Sequence, residues 1–258
     1  MTLPSLFVSH GAPTLILENG PTCAFLRGLG AALPRPKAIL AVSAHWETAR
    51  PTLGATPRPE TIHDFFGFPD ALYRMRYAAP GAPDLARRAS DLLAAQRIAN
   101  AIDPERGLDH GAWVPLMLMY PGAEIPVLQL SIQPQLGPAH HVAVGRALAP
   151  LRDEGVLILA SGGAVHNLRA LAWNRSGAPA AWAQGFDEWL VQKIESGAVD
   201  DLVAYRDRAV GAVEAHPRDE HLVPIFVALG AAGENATGKR IYQGFEHGSL
   251  SMAAFSFS

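Results

Sequence analysis

Histidines that follow short apolar runs are the most informative residues of this chain. Three of them occupy this position: His10 after Leu6–Val8, His45 after Ala38–Val42, and His166 after Val156–Ala160. Such runs predict buried strands, and the ligands of open α/β sheets collect beyond the carboxyl ends of the strands. Because core packing gives no reason to place imidazoles at successive strand ends, the pattern predicts a metal site or a proton-transfer site.

The spacing of these histidines favours an open catalytic metal site. Neutral imidazole binds Fe, Zn, Cu and Ni. Closed structural zinc sites use ligands that are close in sequence and often are cysteines, but His10 and His45 are far apart and Cys23 is the single cysteine. The hydrolytic zinc motif H-E-x-x-H is absent.

A further candidate, His110, lies in the segment GLDHGAW. Gly107 and Gly111 allow the backbone to turn tightly around it, and Asp109 beside it could orient the imidazole. The alternative is a loop histidine that only makes a hydrogen bond to the backbone.

Two histidines, His216 and His221, precede or open a helical pattern in HPRDEHLVPIFVALGA. Residues five apart do not share a helical face, so we expect only one of the two to face the metal. His140 and His141 open another helical pattern and are expected to be solvated.

The elements that would position these residues alternate between strands and helices. Predicted strands are Leu6–Ser9, Ala38–Ala44, Val127–Ile132, Val156–Ala160 and Met252–Phe257. Predicted helices are Pro138–Glu154, Trp182–Ser196 and His221–Ala232. This alternation predicts a single layered α/β domain over residues 1–258, with a central, largely parallel or mixed sheet flanked by helices.

Composition excludes several classes of protein. An apolar share of 49% and a charged share of 17% exclude a disordered chain, and a net charge of −3 without a basic patch makes nucleic acid an unexpected partner. The sequence contains no uncharged apolar run of about 18 residues, so no membrane span is predicted. The amino terminus lacks the layout of a signal peptide, so we expect a soluble, cytoplasmic protein. The G-x-S-x-G, P-loop and G-x-G-x-x-G motifs are absent.

The segment from Arg50 to Gly81 differs from the rest of the chain. It is rich in proline and aromatic residues and only weakly periodic. Long loops of this kind often line a pocket. The alternative, with equal weight, is a surface excursion held by its own aromatic side chains.

Several long motifs, in order along nearly the whole chain, carry a resemblance to a known family. They are SHGAPTL (9–15), SAHWE (43–47), HDFFGFP (63–69), LYRMRYAAPGAP (72–83), LDHGAWVPL (108–116), PVLQLSI (126–132), ILASGGAVHNL (158–168) and HPRDEHLVPIFVALGAAG (216–233). The chain resembles the class III extradiol aromatic-ring-opening dioxygenases, specifically the single-chain DOPA 4,5-dioxygenase type.

The resemblance implies a ligand set for a non-haem metal. His10, His45 and His221 would bind it, and His166 would lie close enough to be a fourth ligand. The broader class has a carboxylate at the third ligand position, so nearby acidic side chains compete for it: Glu47, Asp109 and Glu220. Fe(II) would serve catalysis, and Zn(II) would be a form found on isolation.

The resemblance also implies the remaining roles. His166 would accept a proton from a catechol such as DOPA, and His110 would donate one later, before ring opening by O₂ yields a muconic semialdehyde. From the residues themselves, the aromatic stretch could stack on the catechol ring through Phe65, Phe66 and Tyr73, and Arg74 or Arg76 could meet a substrate carboxylate. The alternative is that these aromatic side chains only pack their own segment. The oligomeric state is open.

Two other functions remain open from the residues. Imidazole ligands do not separate iron from zinc, so a zinc-dependent hydrolase on the same scaffold is one alternative. A protein that binds a metal or small aromatic compound without turnover is the other.

Overall fold

The computed structural model describes residues 2–172, 178–234 and 236–258. Its strands are β1 (Ser5–Ser9), β2 (Ala38–Glu47), β3 (Thr52–Gly54), β4 (Ala101–Asp103), β5 (Val127–Ile132), β6 (Val156–Gly162), β7 (Gly238–Tyr242), β8 (Phe245–Glu246), β9 (Leu250–Ser251) and β10 (Ala254–Phe257).

The α-helices are α1 (Pro21–Ala32), α2 (Asp70–Arg74), α3 (Pro83–Ala95), α4 (His110–Met119), α5 (Gly137–Leu148), α6 (Pro150–Asp153), α7 (Ala181–Glu195), α8 (Val199–Val203), α9 (Tyr205–Arg208), α10 (Ala212–Ala215) and α11 (Pro224–Ala231). Short 3₁₀ helices cover Pro13–Leu17, Pro134–Leu136 and Leu168–Ala170.

Eight of the strands form one mixed sheet in the order β4-β3-β5-β2-β6-β1-β10-β7. Its centre is parallel: β5 pairs with β2, β2 with β6, and β6 with β1. The edges include antiparallel pairs between β3 and β5, between β1 and β10, and between β10 and β7. This architecture confirms the predicted α/β class with a mixed sheet.

Alternate residues of the central strands supply two cores, one on each face. Leu40 and Val42 of β2 pack with the helices α3, α5, α7 and α11. Ile39 and Ala41 pack with α1 and α4 on the opposite face. Since both faces are covered, the central strands are apolar almost throughout, as in parallel sheets generally.

The predicted elements differ from the structure mainly at their ends. β2 does not stop at Ala44 but continues through Glu47, so His45 lies within the strand and not after it. The helix predicted over Pro138–Glu154 is divided into α5 and α6, and the last predicted helix begins at Pro224, after His221. Among the described residues, the helices are too short or too polar to cross a bilayer.

Candidate metal centre

The carboxyl ends of three neighbouring parallel strands deliver histidines to one place. His10 directly follows β1, His45 lies near the end of β2, and His166 follows β6, which pairs with both. The ladder between β2 and β5 shifts register between Val42 and Glu47. Such an irregularity re-aims the side chains inside it, here including His45.

Three of the predicted ligands converge on a single point. One ring nitrogen each of His10, His45 and His221 lies within 4.8 Å of the other two. The Nε2 atoms of His10 and His45 are 3.1 Å apart. His221 reaches the same point from the turn between α10 and α11, so of the two candidates in its segment it is the one that joins the cluster.

Hydrogen bonds on the opposite ring nitrogens fix how these histidines are protonated. Ser161 donates its hydroxyl proton to the carbonyl oxygen of Gly111, so its oxygen is left to accept from Nδ1 of His10 at 2.9 Å. Nδ1 of His221 lies 3.1 Å from Oε1 of Glu220. Each ring therefore keeps its lone pair on Nε2, as metal-binding histidines do.

The cluster fits a divalent transition metal. Burial, followed by the charges of neighbouring histidines, lowers the pKa of His10 and of His221 well below the ordinary value. Burial and the charge of His110 lower the pKa of His45 to about 4. All three rings are thus neutral near pH 7, and the Nε2 atoms of His10 and His45, 3.1 Å apart, are close enough to bind one cation. Three neutral imidazoles are a donor set for Fe or Zn.

His166 stacks on one of these three rings. Its centroid lies 3.4 Å from that of His221, with 8° between the planes. Burial, followed by the charges of His216 and His45, lowers the pKa of His166 to about 3. A ring nitrogen of His166 also lies within 4.8 Å of ligand atoms of His221 and Glu220.

His110 is the first residue of α4 and is therefore not the loop histidine that was the alternative from the sequence. Its ring centroid lies 4.0 Å from that of His45. Asp64 accepts hydrogen bonds from the backbone N–H of His110 and from its Nδ1, each 2.9 Å long. Burial alone would raise the pKa of Asp64, but these hydrogen bonds outweigh it and lower the pKa to about 2.

Gly111, the next residue, allows α4 to begin this close to the metal ligands. A Cβ at this position would overlap Ser43 Oγ and lie 2.9 Å from His45 Cδ2. Gly162 has a similar role on β6, since a Cβ there would collide with the carbonyl oxygen of His221. The absence of a side chain at Gly162 therefore lets the segment that carries His221 approach β6 closely.

The histidines form the floor of a cavity of about 290 Å³. Its walls are mostly apolar and are formed by Gly11, Ala12, Pro13, Phe65, Phe68, Leu168, Leu171, His247 and Leu250. A hollow of about 590 Å³ beside Arg27 and Glu124 is larger, but its lining contains no histidine. We therefore assign the chemistry to the smaller cavity.

The aromatic segment reaches this cavity only in part. Phe65 lines it, whereas Tyr73 packs against Phe65 at 5.3 Å and accepts a hydrogen bond from the backbone of Phe68. Phe66 is 92% exposed and is not brought into the cavity. Arg76 is exposed and donates to the carbonyl oxygens of Tyr73 and Met75. Phe68 was not singled out by sequence, although it lies in the same aromatic run.

The competing carboxylates have other partners. Asp109 caps α4 and accepts from Arg106 and Ser43. Glu47 pairs with Arg218 at the surface. Glu220 adjoins the cluster, where it supports His221.

Two other histidines are structural. His216 is buried beside Phe186 and hydrogen-bonds through Nε2 to the carbonyl oxygen of Ala164. The expectation that His141 is solvated is wrong, because its ring is 1% exposed in α5 and both nitrogens have hydrogen-bond partners. His140 is also partly buried, against Gln133.

Comparison of the sequence with those of known proteins shows the family to which the chain belongs. Residues 6–256 match the family described as the catalytic LigB subunit of aromatic ring-opening dioxygenase. The chain is 44% identical over 258 residues to a 4,5-DOPA dioxygenase extradiol of Beta vulgaris, which covers 98% of this chain and 96% of the relative. The protein of that name in Escherichia coli (strain K12) is 44% identical over 254 residues, 97% of this chain and 93% of the relative.

A crystal structure of an uncharacterised protein from Escherichia coli K12 matches with a TM-score of 0.83 and 39% identity, over 98% of this chain and 99% of that one. Fold, histidine cluster and relatives agree on one class, the aromatic-ring-opening dioxygenases. The chain belongs to the LigB family within that class and is an extradiol ring-cleaving oxidoreductase. The resemblance found in its motifs is thereby confirmed.

Proposed function

We propose that this protein cleaves the ring of a catechol with O₂ at an Fe(II) ion held by His10, His45 and His221. The observation that carries the proposal is the convergence of these three imidazoles on the floor of the cavity of about 290 Å³. Three protein ligands leave positions on a metal open for a substrate, as in catalytic sites.

The identity of the metal follows from the chemistry that a dioxygenase requires. Bound at this site, Fe(II) would supply the electron transfer that O₂ requires and would lower the pKa of a catechol hydroxyl as a Lewis acid. Zinc has no redox chemistry, so zinc on the same ligands would give an inactive protein. We expect the protein to carry zinc when it is isolated without added iron.

Two histidines beside the ligands are proposed to move protons. His166 lines the cavity and is neutral near pH 7, so a nitrogen of its ring is available to accept the proton of a substrate hydroxyl. His110 has Nδ1 engaged by Asp64, which leaves Nε2 for a proton exchanged with the substrate. General acid and base groups of this kind contribute roughly 10² to 10⁴-fold to the rate.

The shape of the cavity suits a small aromatic substrate. A volume of about 290 Å³ is at the small end for ligand pockets and fits a single ring with a short substituent. Phe65 and Phe68 offer aromatic faces at its wall. Since relatives 44% identical over nearly the full length carry the name 4,5-DOPA dioxygenase extradiol, we propose DOPA or a similar catechol as the substrate.

Anaerobic reconstitution with Fe(II) tests this function. L-DOPA and simpler catechols are added first, O₂ is then admitted, and absorbance reports a yellow semialdehyde. We expect product only with both iron and O₂, and none with zinc-loaded protein. Product formed without O₂ would favour the hydrolase, and catechol binding without turnover would favour a binding protein.

A cytoplasmic location and a single domain across residues 1–258 stay predictions from the sequence.

A further inference from the structure

Asp64 connects two histidines with different tasks. Its Oδ1 accepts the backbone N–H of His110 and its Oδ2 accepts from Nδ1 of the same residue, both at 2.9 Å. The same Oδ2 lies 3.4 Å from Nδ1 of His45. The backbone of Asp64 is open to solvent, but its side chain is only 22% exposed.

These contacts determine which ring nitrogen of His110 carries the proton. An ionised carboxylate can only accept hydrogen bonds, so Nδ1 of His110 must donate. The neutral ring then has its lone pair on Nε2, on the side away from Asp64. Because the backbone N–H is held by the other oxygen, the carboxylate also fixes the plane in which the ring lies.

A longer, electrostatic contact links the same carboxylate to the metal ligand His45. Nδ1 of His45 faces the carboxylate, and its Nε2 faces Nε2 of His10 at 3.1 Å. One carboxylate therefore contacts both a proposed ligand and a proposed proton-transfer group. Carboxylates that support metal-bound histidines typically account for 10 to 100-fold in metal affinity or activity.

We propose that Asp64 is a positioning residue that sets the Nδ1–H tautomer and the orientation of His110 and orients His45 toward the metal. Its role in turnover rests on the function proposed above. Its effect on the tautomer of His110 does not depend on that function.

The substitution Asp64→Asn separates this role from a purely structural one. The Asn carbonyl oxygen can still accept the backbone N–H of His110. The amide NH₂ then faces Nδ1, which must become an acceptor, so the ring proton moves to Nε2. A matched control is Asp103→Asn, because Asp103 likewise accepts two hydrogen bonds, but both come from backbone N–H groups, those of Glu105 and Arg106.

Long-range ¹H–¹⁵N spectra of the histidine rings in the metal-free, full-length protein provide the first measurement. We expect His110 to be the Nδ1–H tautomer in the wild type and in Asp103→Asn, and the Nε2–H tautomer in Asp64→Asn. A wild-type His110 with its proton on Nε2 would overturn the proposal without any variant.

Metal affinity and kinetics provide the second measurement. Zinc affinity of Asp64→Asn should fall by about 10 to 100-fold, and kcat of the iron-loaded variant by about 10²-fold or more with KM within about threefold. Unchanged kcat and zinc affinity would refute the positioning role. If wild type turns over no catechol while the tautomer still reverses in the variant, the proposed function fails and the assignment of Asp64 stands.

Discussion

Each proposed metal ligand has its Nδ1 beside a different supporting side chain. Ser161 lies at Nδ1 of His10, Asp64 at that of His45, and Glu220 at that of His221. A histidine whose Nδ1 donates must present a lone pair on Nε2, so these supports prepare the site before a metal enters. The supports come from a strand, a loop and a turn, and each can be tested separately.

The hydroxyl of Ser161 should contribute to metal binding through His10. We expect Ser161→Ala to lower zinc affinity by about 10 to 100-fold, because the ring of His10 loses the acceptor that fixes its tautomer. Competition with a chelator measures this affinity. Ser5→Ala is the matched control, since Ser5 is equally buried in a strand but bonds to the carbonyl oxygen of Ala228. Equal affinities of the two variants would contradict the role of Ser161.

Replacement by alanine should distinguish a metal-binding histidine from a proton-transfer histidine by the iron content and the turnover of the variant. His10→Ala should lose both bound iron and turnover. His166→Ala should keep its iron but lose turnover by about 10²-fold or more, because a general base is missing. Elemental analysis and the semialdehyde assay measure both properties. Normal turnover of iron-loaded His166→Ala would exclude it as the base.

The sequence could predict only part of this site. His10, His45 and His166 were found because an apolar run precedes each of them in the sequence, and parallel strands end at one edge of the sheet. Asp64 could not be found in this way, since it lies in a weakly periodic loop and its partner His110 is 46 residues away. A contact between a loop residue and the first residue of a helix, such as that of Asp64 with His110, leaves no periodic pattern in the sequence from which it could be predicted.

At the scale of elements, the long buried strands were predictable and the short ones were not. Val127–Ile132 was predicted with its observed bounds because both faces of β5 are covered and its apolar run is continuous. β3 and β4 have three residues each and lie at one edge of the sheet, and β8 and β9 have two each. Their pairing depends on tertiary contacts and not on a local pattern.

The start of α4 should tolerate no side chain at residue 111. Gly111→Ala would push a methyl group into Ser43 and His45, so we expect lower stability and loss of bound metal. Gly28→Ala is the control, because Gly28 lies in α1 with nothing within 4 Å of an added Cβ. Alanine there should raise the free energy of unfolding by about 0.5–1 kcal/mol. Thermal unfolding and metal analysis compare the two, and normal metal content in Gly111→Ala would show that α4 can shift.

At the scale of the whole molecule, histidines buried without charge couple folding to pH. His141 accepts the backbone N–H of Gln133 at Nε2 and lies 2.7 Å from the carbonyl oxygen of Gly137 at Nδ1. Both nitrogens are committed, so a second proton would break the bond to Gln133. Burial lowers the pKa of His141 to about 4, and it does the same for His216.

The free energy of unfolding should therefore fall in acid. In the unfolded chain a histidine has a pKa of about 6.5, so between pH 6.5 and about 4 the unfolded state binds a proton that the folded state does not. Stability contributed by neutral His141 is complete above pH 6.5 and decreases below it, by about 1.4 kcal/mol per pH unit. Urea unfolding of metal-free protein at pH 7, 6 and 5 measures this slope. His141→Gln should reduce the slope by about that amount, and His63→Gln, at a half-buried histidine bonded to the carbonyl oxygen of Met75, is the control. A slope in His141→Gln equal to that of the wild type would show that His141 does not drive the acid sensitivity.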